Sequence, residues 1–396
     1  MPPRRPPPPL EVLLLVCCLL VFASYLSSYM RIPVVPLFAR ELGASTVLVG
    51  LINSAFLFMA GLFSFPLGVY SDRLGRKPLI IMGLAASAAS ALLLAASSSP
   101  LQLMGIYALF GLSLAAIGPT LMALVADISR PTHLGRSYGW FTTALYSGMS
   151  LGPALGGWLA QTLGFRPLFV VSALFLLLVI VLAWKYLPGE TIAPREAHLP
   201  DWSQAIREVK GNRHLLGCWL ATLGGCFALG MFITFAPLYF HDRGLSMTQI
   251  GVVFAVQGAV NALSRIPLGR LSDAVAHRWH QGVAGLLLVG ASIAGFGLSH
   301  TLAHFLTAAV FLGISLGLAF TALGALIAEV VPLKSRGLAM GGYNTCIYLG
   351  MMASSALMGS VIKRLDFTGS FLLTGFFLFF ISALFYLMVK GFSPPR

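Results

Sequence analysis

Residues 66–78 read Pro66-Leu67-Gly68-Val69-Tyr70-Ser71-Asp72-Arg73-Leu74-Gly75-Arg76-Lys77-Pro78, and 201 positions later the chain reads Pro267-Leu268-Gly269-Arg270-Leu271-Ser272-Asp273. The same shift carries Pro36-Leu37 onto Pro237-Leu238, Gly43 onto Gly244 and Gly50 onto Gly251. With a slip of at most one residue it carries Asp127 onto Glu329, Pro131 onto Pro332, Tyr146 onto Tyr348 and Gly157 onto Gly359. One offset held over several helices and their loops marks a tandem duplication, and it predicts two related halves in parallel orientation.

Composition names the solvent of those halves. Of 396 residues 58% are hydrophobic and 9% charged, where soluble domains carry roughly 25% charge. Lipid accepts apolar helix faces that water would not. The net charge of +13 lies in short basic clusters between apolar segments, as loop topology requires, and a nucleic-acid partner is not expected. Spanning segments are read at 10–38, 47–69, 79–98, 101–126, 138–163 and 166–187, then at 214–240, 248–270, 281–299, 303–328, 338–363 and 367–390. The N-terminal apolar run is read as the first of these helices. Basic residues concentrate on one side, with Arg4, Arg5, Arg73, Arg76, Lys77, Arg130, Arg136, Lys334 and Arg336 among them, so both termini are placed in the cytoplasm of a plasma-membrane protein. The expected class is therefore all-α integral membrane, with twelve transmembrane helices in two pseudo-symmetric six-helix bundles, 1–187 and 214–396. Residues 188–213 are the joining linker, where Trp202, Ile206 and Val209 follow the spacing of an amphipathic surface helix. The five cysteines read as small buried residues, and neither metal spacing nor a nucleophile–base pair is present.

The 68–78 loop has its own physics. Gly68 and Gly75 admit close approach and left-handed turns. Asp72 suits a helix N-terminus, and Arg73 is expected to pair with Asp127. This stretch resembles the signature loop of the major facilitator superfamily, and with the two halves and the long middle loop the resemblance covers the chain. It implies a major facilitator fold, alternating access and a latch made by Gly68, Asp72, Arg73, Gly75, Arg76, Asp127 and Arg136, with Asp273, Glu329 and Arg336 as the weaker second copy. In the fifth helix Gly148, Gly152, Pro153, Gly156 and Gly157 match a motif of the family's antiporters, many of them drug exporters, and small residues at that spacing let helices pack backbone-close. Where many family antiporters carry an arginine in the fourth helix, this chain has Tyr107, which puts the family's usual proton coupling in doubt.

Polar residues inside spans are the candidates for a cavity. Ser24, Ser27, Ser28 and Arg31 share one face of the first helix; Gln257, Asn261, Ser264 and Arg265 share one face of the eighth. Asn53, Tyr107, Thr142, Tyr146, Asn344 and Tyr348 are further inward-facing candidates. Arginine suits a carboxylate or phosphate. The resulting expectation is a monomeric secondary transporter of a small organic molecule, without cofactor or metal, in which a coupling ion is open. Export of drug-like or amphipathic compounds leads, and an organic-anion uniporter or exchanger using Arg31 and Arg265 is the alternative. Phe22, Phe56, Phe58, Phe227, Phe232, Phe235 and Phe254 are read mainly as core or lipid-facing.

Overall fold

The computed structural model describes residues 10–188, 211–275, 277–332 and 335–391. The linker segment carrying Trp202, Ile206 and Val209 lies outside them. The first half consists of α1 (Leu10–Arg31) with a short extension Val35–Glu41, α2 (Thr46–Leu74), α3 (Arg76–Ala96), α4 (Pro100–Ile128), a single 3₁₀ turn Pro131–His133, α5 (Leu134–Leu163) and α6 (Phe165–Tyr186). The second consists of α7 (Arg213–Asp242), α8 (Met247–Ala274), α9 (Arg278–Gly297), α10 (Leu302–Val330) and the element Arg336–Val389. Its 54 residues would run about 80 Å as one helix, far beyond a bilayer. It is broken at Asp366, whose φ is 60°, into α11 (336–365) and α12 (367–389).

Ten segments among the described residues are long and apolar enough to cross a membrane. One of them is the broken α11–α12 pair. α5, 30 residues long, is not among the ten because its glycines and hydroxyls lower its hydropathy. The twelve helices expected from the sequence are thus accounted for, and the chain is a multi-pass membrane protein. The weakest expected boundary, between the third and fourth spans, is a real break: the Gln102 side chain accepts hydrogen bonds from the Ser98 and Ser99 backbone at 2.8 and 3.2 Å, capping α4.

The duplication is visible in backbone detail. Gly43 and Gly244 close the same turn with φ of 87° and 83°, a region that favours glycine. Gly43 donates to the Arg40 carbonyl and Gly244 to the His241 carbonyl, both at 2.9 Å. Two residues later Ser45 and Ser246 cap α2 and α8 from equivalent positions. Packing repeats as well. In the first half α1 lies on α5 and α6, α2 on α4, and α3 on α4 and α6; in the second, α7 lies on α11, α8 on α10, and α9 on α10 and α12. The halves meet mainly through two helix pairs, α5 with α8 and α2 with α11, and more sparingly where α7 touches α2 and the Val35–Glu41 extension.

Candidate functional site

The seam between the halves is organised by depth. We call the face carrying the 68–78 loop the latch face and its opposite the far face. On the far face backbones touch. A side chain added at Gly50 would strike the Ser355 carbonyl of α11, and one at Gly251 the Pro153 carbonyl of α5. Gly157 abuts Met247, and Gly359 abuts Thr46 and Val47. The Thr46 hydroxyl donates to the Gly359 carbonyl at 3.0 Å. Asn53 donates to Thr234 at 2.5 Å and to Ser355 at 3.3 Å. Outermost, the Arg40 guanidinium grips both oxygens of Asp242. On the latch face the contrast is sharp: Gly68, Gly135, Gly139, Gly337 and Gly341 have nothing within 4 Å of an added Cβ. The far face is closed, and the closure relaxes toward the latch face.

Between these levels lies a polar layer. Ser64 and Arg265 each stand eighteen residues into α2 and α8, about 27 Å from their far ends at 1.5 Å per residue. Tyr146 and Tyr348 each stand twelve residues into α5 and α11 from the latch face. The Arg265 guanidinium lies 4.9 Å over the Tyr146 ring, across the seam. Tyr348 packs on Gly61 of α2, less than a turn from Ser64, also across the seam. Tyr25 and Tyr29 of α1, their rings 6.1 Å apart, come within electrostatic reach of Tyr146 and Tyr348. Tyr343 of α11 does the same for Arg265. All of these side chains are partly exposed, so the layer lines open space rather than a packed core. Of the expected cavity residues, Tyr146, Tyr348, Asn261 and Arg265 converge here. Tyr25, Tyr29 and Tyr343 were missed; their only signal is their clustering near residues 25 and 343 on helices that carry other polar groups.

Other expected positions differ. Arg31 is fully buried within the first half. It donates to Ser87 Oγ at 2.9 Å and Ser90 Oγ at 3.0 Å on α3 and stacks 4.3 Å from the Phe110 ring of α4. Ser27 shares a 2.7 Å hydrogen bond with Ser172 of α6. The polar face of α1 is therefore turned into its own bundle, because α3 and α6 offer serines that satisfy it away from lipid. Tyr107 packs edge-on to Phe56 in that same core and is 2% exposed. Asn53 is committed to the far-face closure described above. Gln257 is nearly buried at 9%, where α8 meets α10, and Asn344 is exposed. Phe232 and Phe235 are wholly buried and Phe58 is half exposed.

The latch also rearranges. Arg76, not Arg73, makes the ion pairs: Nη2 meets Asp72 at 2.6 Å and Nε meets Asp127 at 3.0 Å. Gly75, at φ 95°, turns the chain so that Arg76 opens α3 beside both carboxylates, while Arg73 points to solvent. Glu329 pairs with Arg278 at 3.1 Å, and Arg336 donates to the Ala328 carbonyl at 3.1 Å. Of the expected Asp273–Glu329–Arg336 cluster, Glu329 is thus paired with Arg278 while Arg336 meets a backbone carbonyl; the Asp273 side chain lies outside the described residues. Arg136 is exposed and lines, with Glu11, Arg130, His133 and Trp140, a cavity of about 750 Å³. The fifth-helix motif divides: Gly148, Gly152 and Gly156 press on the α1 backbone, whereas Pro153 and Gly157 meet α8. Its seam face is the stripe of Ser150, Pro153 and Gly157. Among the described residues no three His, Cys, Asp or Glu side chains are grouped to hold a metal.

The comparisons with known proteins agree with this architecture. The family model described as Major Facilitator Superfamily matches residues 17–247 and 240–396. An uncharacterized MFS-type transporter of Methanocaldococcus jannaschii is 22% identical over 366 residues, covering 90% of this chain and 93% of that protein. The chloramphenicol resistance protein of Pseudomonas aeruginosa is 30% identical over 277 residues, covering 67% of this chain and 62% of its own length. A solved bacterial homolog of the human lysosomal transporter Spinster, in an inward-facing and unoccupied conformation, superposes with a TM-score of 0.79 at 18% identity and 98% coverage of both chains. With its duplicated bundles, its signature loop and a family match running nearly end to end, this chain belongs to the Major Facilitator Superfamily of transporters.

Proposed function

We propose that this protein is a secondary active transporter that exports amphipathic, drug-like molecules by alternating access. The observation that carries the reading is the graded seam: backbone-tight on the far face, open at the latch-face glycines, with a tyrosine-lined polar layer between. Two rigid halves joined through α2–α11 and α5–α8 can rock about such a layer, exposing it to one side at a time. Aromatic walls with few hydrogen-bonding groups suit an apolar body more than a sugar or a peptide. The name of the Pseudomonas aeruginosa relative supports export of a drug-like cargo. In this reading the termini and latch face are cytoplasmic, the described conformation is open to the cytoplasm, and Asp72, Arg76 and Asp127 form the latch that engages when that side closes.

The test is drug and dye accumulation in a bacterial host stripped of its own exporters. Cells making the protein should accumulate less of at least some amphipathic dyes than cells making Asp72→Asn, at equal amounts of membrane-inserted protein. Equal accumulation across a broad panel, with both proteins inserted, would remove the export reading.

A further inference from the structure

The repeat offers an internal control for the central layer. The offset of 201 places Ser64 and Arg265 at equivalent positions, and Tyr146 and Tyr348 at equivalent positions on the facing helices. Each tyrosine meets the facing helix across the seam: Tyr348 packs on Gly61, less than a turn from Ser64, and the Tyr146 ring lies under Arg265. One side of the pseudo-symmetric layer is built with a small hydroxyl. Packing at this level therefore does not require a cation, and arginine on the other side is an addition to the scaffold.

That addition is costly. When the crevice closes over it, a guanidinium at this depth in a bilayer loses hydration that only an anion or several acceptors restore. Among the described residues no carboxylate forms an ion pair with Arg265, and its Nε is buried with no partner. Every described carboxylate stands at a helix end. Asn261, one turn before Arg265 on the same face, also leaves its buried Oδ1 unpartnered. What Arg265 has is the Tyr146 face at 4.9 Å, a contact worth only about 0.5–2 kcal/mol, with Tyr343 within electrostatic reach. The Nε of Arg31, the other arginine within a span, is likewise unpartnered, but both of its terminal nitrogens donate to serine hydroxyls and it stacks on the Phe110 ring inside the first bundle, and Arg265 makes no such hydrogen bond.

From this asymmetry we infer that the central layer recognises a cargo with one negative group, a carboxylate or phosphate, on an apolar or aromatic body. The inference rests on the transport reading above and names its substrate class. Arg265 donates in bidentate fashion to the anion, leaving the Tyr146 ring as it does so. The tyrosine hydroxyls at 25, 29 and 343 donate to the remaining lone pairs, and their rings flank the body. Because Arg265 belongs to the second half and Tyr25, Tyr29 and Tyr146 to the first, such a cargo bridges the two halves.

The experiment uses the purified full chain and matched acids, amides and primary amines built on phenylbutyl, naphthylpropyl and decyl bodies, with binding read from the thermal unfolding midpoint. The acids are expected to bind about tenfold or more tighter than their amides. Arg265→Ser, which copies the serine already present at position 64, should abolish that preference, and Arg265→Lys should keep part of it. Size-exclusion profiles and unchanged amide responses check that the variants are folded. Amides or amines binding as tightly as acids, no acid binding at all, or an acid preference surviving in Arg265→Ser would each overturn the inference. Flux of the same compounds into proteoliposomes separates it from the reading beneath it. If amines or amides are carried and acids are not, transport stands and the anion class falls. If acids bind and nothing crosses, the site stands and transport falls.

Discussion

Arg31 and Arg265 look alike in the sequence, each on a polar helical face within an apolar span, yet their surroundings separate their roles. Arg31 → Ser87 and Ser90 hydrogen bonds stitch α1 to α3, so Arg31→Ala removes volume and several contacts from a close-packed core. It should destabilise the protein by about 2–5 kcal/mol, seen as a lower thermal midpoint, with ligand affinity in the remaining folded protein unchanged. Arg265→Ser should do the reverse. At the break between α11 and α12, Asp366 accepts a 2.7 Å hydrogen bond from the Gly369 backbone and caps α12. Asp366→Ala should cost about 1 kcal/mol, and Asp366→Asn clearly less, measured by the same unfolding midpoint. Arg76 replaces Arg73 as the latch cation because the left-handed Gly75 redirects the chain after α2. Arg76→Ala should therefore impair transport more than Arg73→Ala, and equal rates for the two would refute the assignment.

At the scale of elements, the proposed alternating access requires α5 and α11 to slide against the opposite half, and their glycines mark the contacts that would open. Gly148, Gly152 and Gly156 hold α5 to α1 within one half and are expected to move with it. Gly157 against α8 and Gly359 against α2 are the contacts between halves. Substituting valine at either position inserts a branched side chain where backbones now touch, and it should hold the far face apart. Spin labels or cysteine cross-links placed across that face are expected to report greater separation in Gly157→Val and Gly359→Val. In Gly139→Val, where the structure leaves space, they should report no change.

For the whole molecule, the balance between conformations is a difference of small terms spread over both faces. The Arg40–Asp242 pair on the far face is between a third and two fifths exposed, so its worth is limited to about 0–1 kcal/mol. Arg40→Ala or Asp242→Ala should shift the population of far-face-open protein by no more than about fivefold. The double variant should shift it little further, because each single change already removes the pair.

The duplication, with its pairing of Gly43 and Gly244, the helices and the signature loop were legible in the sequence, because each depends on neighbours a few residues away or on a repeat that copies them. Helical spacing also showed which residues share a face of α1 and of α8. It could not show what those faces meet. Whether a polar face turns toward its own bundle, as Ser27 and Arg31 do, or toward the seam, as Asn261 and Arg265 do, depends on whether a neighbouring helix supplies partners at the same depth. Ser87, Ser90 and Ser172 lie 56 to 145 residues along the chain from theirs. Only the packed bundle brings such distant groups to one level, and so only the tertiary structure decided which arginine is satisfied and which is left open.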